Sequence, residues 1–114
     1  MQTGISALNI SAIKGLTENI VRLVGPLRII LFGSTARCES HAESDVDLLI
    51  VMPEGAHRRH TAQFLYREIR GAGVPFDLIV AVPSDLERHR DNPGLIYKTI
   101  IEEGREIYAR PETC

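Results

Sequence analysis

The chain predicts an α/β (α+β) fold: a small mixed β-sheet flanked by helices. Two observations carry that expectation. Short apolar runs of strand length alternate with longer segments of helical periodicity. Two of the runs are near copies, DLLIVMP from Asp47 and DLIVAVP from Asp77, each an Asp, an apolar run and a Pro. About 20 residues with a helical pattern lie between the copies, the length of a right-handed crossover between parallel strands. At 114 residues, the chain is expected to form one domain, residues 1–114.

Taken in order, Ile13, Leu16, Ile20, Leu23 and Val24 recur at helical spacing, and Gly25-Pro26 stops that helix. Arg28 to Phe32 reads as a buried strand that ends at Gly33-Ser34. Val46 to Met52 is a second buried strand, closed by Pro53. Residues 57 to 72 predict an amphipathic helix with Ala62, Leu65, Tyr66 and Ile69 on its inner face. Phe76 to Val82 is a third strand, closed by Pro83. Ser84 and Glu87 have capping-box spacing and open a short helix. Ser40 and Glu43 have that spacing too, although a strand follows them. Asn92-Pro93 reads as the start of a last helix that buries Tyr97, Ile100 and Ile101 and stops at Gly104. Arg105 to Ala109 would be an edge strand.

Composition narrows the function classes. Apolar residues at 44% and charged residues at 25% are ordinary for a globular domain, which argues against disorder. Thirteen basic against fifteen acidic residues give a formal charge of −2, no footprint for general nucleic-acid binding. Aromatic residues at 5%, with no Trp, leave few platforms for stacked bases. Cys38 and Cys114 belong to no Cys-x-x-Cys pair, so neither a zinc site nor a disulfide framework is expected. A reducing cytoplasm is the natural compartment. The N-terminus carries no signal-peptide pattern, and no apolar run approaches membrane-spanning length. The length leaves no room for a polymerase's separate substrate domains.

The chemistry gathers at strand ends. If the two copied strands are neighbours in register, Asp47 and Asp77 sit side by side at the same end of the sheet. Asp45 precedes Asp47 by two positions and so shares its face on a strand. Three converging carboxylates repel, and a divalent cation relieves that repulsion. All-oxygen ligation suits Mg²⁺ or Mn²⁺ and not zinc. A lone Asp-x-Asp also fits solvated charges at a loop end. The preceding segment adds to it: LRIILF runs into Gly33-Ser34-Thr35-Ala36-Arg37, a strand-to-helix turn. Glycine permits close backbone approach, Ser34 and freed N–H groups form an anion nest, and Arg37 supplies a fork for phosphate oxygens. Ten residues separate Ser34 from Asp45, too few for an ordinary helical crossover. An antiparallel return would bring nest and carboxylates to one edge.

Gly33-Ser34, ten residues, then Asp45-Val46-Asp47, with Asp77 on a later strand, resembles the DNA polymerase beta-type nucleotidyltransferase superfamily. Within it the pattern is similar to the minimal nucleotidyltransferase (MNT) branch, often paired with a HEPN-domain protein as a toxin–antitoxin system. The resemblance runs from the first helix to the EEGREIYA ending. It implies that Asp45, Asp47 and Asp77 hold two Mg²⁺ ions, with Asp77 near the attacking hydroxyl. It further implies that Gly33 and Ser34 cradle the β- and γ-phosphates of ATP or another nucleoside triphosphate, with Arg37 beside them. The implied reaction moves AMP to a hydroxyl acceptor, a tyrosine of a HEPN partner, with pyrophosphate leaving. Where the family commonly has Gly after the Arg, this chain has Cys38, which would strain a turn that needs positive φ. The rival readings are an antitoxin that neutralises its partner by binding alone, and a transferase for a small-molecule acceptor.

His57-Arg58-Arg59-His60, with Arg67 and Arg70, makes a basic helical face. It would serve as a dock for the partner or simply as a solvated surface. Positive charge at a helix N-terminus is unfavourable, so an anion is expected nearby. His57 and His60 have no third ligand close in sequence and make no metal site by themselves, and His41 is expected to be exposed.

Overall fold

A computed structural model describes residues 7–33, 46–69, 71, 75–89 and 96–111. The elements are α1 (Ala7–Val24), β1 (Arg28–Phe32), β2 (Val46–Val51), α2 (Arg58–Glu68), β3 (Phe76–Ala81), α3 (Pro83–His89), α4 (Ile96–Glu103) and β4 (Arg105–Ala109). The strands form one mixed sheet in the order β3-β2-β1-β4. β1 is antiparallel to both its neighbours, whereas β2 and β3 run parallel.

Alternation along each strand divides the apolar side chains between two cores. On one face Ile29, Leu31, Val46, Leu48, Ile50, Leu78 and Val80 pack with Ile13, Leu16 and Ile20 of α1 and with Leu65 of α2. On the other, Ile30, Phe32, Leu49, Val51 and Ala81 pack with Leu86 of α3 and Ile100 of α4. A sheet covered on both faces explains why β2 reads as an unbroken apolar run and not as alternation. Full burial of each such side chain contributes roughly 1.5–3 kcal/mol. The second core places α3 and α4 on the face that also carries residues 47 and 77.

Glycine ends α1 as the sequence implies: Gly25 takes φ +57, and its N–H donates to the Val21 carbonyl at 3.0 Å. Helix α2 is shorter than the span 57–72. Ile69 leaves helical geometry at φ −88, ψ 117 and buries its side chain in the first core. The helix therefore ends before 72. Helix α3 is capped two residues earlier than the Ser84/Glu87 spacing implies. Its carboxylate at the third helical position is Asp85, which accepts from the Val82 N–H at 3.0 Å, with Pro83 as the first helical residue. The Ser84 N–H and hydroxyl donate instead to Glu54, at 2.6 and 3.1 Å. In α4, Ile100 is buried but Ile101 is 43% exposed, so only one of the two adjacent isoleucines faces the sheet. The Asn92-Pro93 start of that helix and the Ser40/Glu43 spacing lie outside the described residues. Among the described residues, no helix is long and apolar enough to cross a membrane.

Candidate active site

Register brings the expected groups together where the structure describes them. β1 ends as β2 begins, with Phe32 opposite Asp47. In the parallel pair, Asp47 stands opposite Asp77. The two copied segments are thus adjacent strands, and their leading aspartates occupy the same rung at the N-terminal end of β2 and β3. Both have the strand phase of Leu49, Ile79 and Ala81, which pack in the α3/α4 core. Asp77 is exposed and Asp47 half-buried.

Gly33 sits against this rung at φ +81. A Cβ placed on it would overlap the Asp47 carboxylate, meeting Oδ2 well inside contact distance and Cγ at 3.3 Å. Only glycine lets the end of β1 lie this close to that carboxylate without displacing it. Of the residues read from sequence, Gly33, Asp47 and Asp77 are therefore brought to one sheet end. Ser34, Arg37, Cys38, His41 and Asp45 lie outside the described residues. Among the described residues, no group of three or more His, Cys, Asp or Glu side chains gathers as a metal site. Asp47 and Asp77 supply two of the three carboxylates expected, and both offer oxygen donors of the kind a hard cation takes.

The opposite end of the sheet holds a second polar cluster, which the sequence did not announce. Arg58, the first residue of α2, donates to both oxygens of Asp85 at 2.6 and 2.7 Å. Asp85 is 5% exposed. Burial pushes its carboxyl upward, but the Val82 N–H and the Arg58 guanidinium hold it below the usual aspartate value. The hydrogen bond and charge of Asp85 in turn raise the Arg58 guanidinium. Burial, then the Asp85 charge, raises the Tyr97 phenol nearby. The unfavourable cation at the α2 N-terminus therefore has an internal anion. His57 caps the same helix, its Nδ1 accepting from the His60 N–H at 3.3 Å, and the two rings stack at 3.8 Å. That arrangement uses His57 structurally.

The spacing of Tyr66 places it on the inner face of α2, yet it is 45% exposed. Its hydroxyl accepts a hydrogen bond from the Leu78 N–H at 2.7 Å, and its ring stacks on Phe76 with centroids 5.7 Å apart. A tyrosine among the apolar positions of that face, a few residues ahead of a strand in the sequence, was the available signal.

The sequence family described as "Nucleotidyltransferase domain" matches residues 13–107. Among solved structures, the chain is similar to a candidate nucleotidyltransferase from Sulfolobus solfataricus, with a TM-score of 0.61 and 20% identity over 96% of this chain and 94% of the other. At that identity the likeness speaks for the fold, and it supports the four-stranded mixed sheet with flanking helices as a nucleotidyltransferase fold. No curated protein is similar enough in sequence to count as a relative. The match spans β1, β2 and β3 with the Gly33, Asp47 and Asp77 junction inside it, and the chain belongs to the nucleotidyltransferase domain family.

Proposed function

We propose that this chain is a Mg²⁺-dependent nucleotidyltransferase that moves AMP from ATP to a tyrosine hydroxyl of a HEPN-domain partner, and that this modification makes it an antitoxin. The observation that carries the reading is the shared rung of Asp47 and Asp77 with Gly33 pressed against Asp47, in a chain of nucleotidyltransferase family. Asp47 and Asp77, together with Asp45 two positions earlier in the sequence, would hold the cations; Mn²⁺ would fit the same oxygen donors. When bound, the cations lower the pKa of the acceptor hydroxyl and neutralise the triphosphate and the leaving pyrophosphate.

The remaining work falls to the protein. Gly33 lets the backbone at the end of β1 approach the β- and γ-phosphates, and Ser34 and Arg37 would complete that nest. Asp77, on the exposed edge strand, would orient the acceptor hydroxyl in line with the α-phosphorus, where positioning supplies much of the rate. An oxygen–phosphorus bond then forms at the α-phosphorus as the bond to the bridging oxygen breaks. The choice of ATP and of a HEPN acceptor rests on the resemblance to the MNT branch. Arg59 and Arg67 are exposed on α2 and support that helix as the partner's dock, whereas Arg58 is held by Asp85. The proposed compartment is the cytoplasm, on the isolated cysteines.

The test incubates the protein with labelled ATP, Mg²⁺ and the product of the neighbouring reading frame, and maps adducts by mass spectrometry. An AMP-modified tyrosine on the partner that vanishes with Asp47→Asn is the expected result. Tight partner binding with no adduct under any nucleotide or metal would favour an antitoxin that acts by binding alone.

A further inference from the structure

We infer that Tyr66 is the positioning residue for Asp77, holding the edge strand of the site in register from outside the sheet; the inference rests on the nucleotidyltransferase reading above. β3 lies at the edge of the sheet, with β2 on one side only. An edge strand exposes N–H groups to whatever lies beside it and is held by half the ladder that holds a central strand. Asp77 is its second residue, where strands fray, yet in the proposed reaction its carboxylate must keep its distance from a cation and a hydroxyl.

Tyr66 supplies the missing restraint on both sides of Asp77. Its hydroxyl accepts from the N–H of Leu78 at 2.7 Å, the place where a further strand would offer a carbonyl. Its ring stacks on Phe76 with planes 9° apart. Residues 76 and 78 both belong to the α1/α2 core, so the clamp grips the backbone from one face. The side chain of residue 77 has the opposite phase and leaves toward the α3/α4 face. Tyr66 thus fixes the backbone that carries Asp77 while leaving the carboxylate to its ligand. Helix α2 is itself anchored by Leu65 in the core, fully buried, and by Arg58 on Asp85. The clamp is therefore fastened to a fixed element.

Tyr66→Phe keeps the ring and removes the acceptor. In the metal-free variant, Leu78 amide exchange should accelerate while the melting temperature stays near that of the wild type. Mn²⁺ affinity, titrated without nucleotide, should fall several-fold, and kcat for transfer at saturating MgATP by about 10- to 100-fold with the nucleotide KM unchanged. In an Asp77→Asn background, Tyr66→Phe should bring no further loss of Mn²⁺ affinity, because the residue through which it acts is gone. Wild-type Mn²⁺ affinity in Tyr66→Phe, or an equal loss in both backgrounds, would overturn the inference while leaving the nucleotidyltransferase reading intact. A melting temperature that collapses with activity would make Tyr66 a stability residue and overturn it as well. Asp77→Asn with unchanged Mn²⁺ affinity and transfer would instead overturn the reading of the site, and the inference with it.

Discussion

Gly33 combines two separable demands in one residue. Its φ of +81 places an L side chain in a conformation that costs roughly 1–2 kcal/mol. Its missing Cβ makes room for the Asp47 carboxylate. Gly55 offers the control, since it has φ +93 but nothing within 4 Å of where a Cβ would lie. Both Gly33→Ala and Gly55→Ala should therefore lower the melting temperature by roughly 4–10 °C, the equivalent of that strain in a domain of this size. Only Gly33→Ala should also reduce nucleotidyl transfer, by about 100-fold, because only there is a carboxylate pushed off its position. Equal activity loss in the two variants would show that crowding of Asp47 is irrelevant.

Between elements, the Arg58–Asp85 contact is the tie that joins the start of α2 to the start of α3. The bond from the Val82 N–H to the buried carboxylate contributes about 1–3 kcal/mol, and the guanidinium, whose side chain is 55% exposed, adds less because solvent screens it. The folded-state pKa of Asp85 lies below its ordinary value of 3.8, so the unfolded chain takes up the proton first as pH falls. The contribution is therefore whole above about pH 4 and is lost as pH drops through the lowered folded value. Asp85→Asn should melt well below wild type at pH 7, and the two curves should converge as pH falls below about 4. A gap that does not narrow as the pH is lowered would assign the effect to shape and not to charge.

The same elements show what a sequence exposes and what it hides. β2 and β3 were legible because burial on both faces demands unbroken apolar runs, and their common Asp start gave the register that places Asp47 beside Asp77. The antiparallel return from β1 followed from a connection too short for a helical crossover. The end of α2 was hidden, because Ile69 is apolar whether it continues a helix or leaves one to enter the core. The cap of α3 was hidden too. Val82 offers no side-chain oxygen, so the pattern Ser84/Glu87 outranked the true carboxylate at Asp85. Asp85, Glu54 and Tyr66 all find partners on other elements, and no local spacing encodes such pairs.

At the scale of the molecule, the two ends of one sheet have different duties. The C-terminal ends of β2 and β3 are locked by Arg58, Asp85 and the Glu54–Ser84 bonds. Their N-terminal ends carry Asp47 and Asp77 with Gly33 beside them. A chain of net charge −2 that presents carboxylates to a triphosphate will repel it unless a cation stands between. On the proposed reading, binding of nucleotide is expected to be conditional on metal. Calorimetric titration of ATP into the protein, with Mg²⁺ and again with EDTA, tests this directly. Tight binding with Mg²⁺ that is lost in EDTA, and lost equally in Asp47→Asn with Mg²⁺ present, is the predicted result; equal affinity with and without the metal would contradict it.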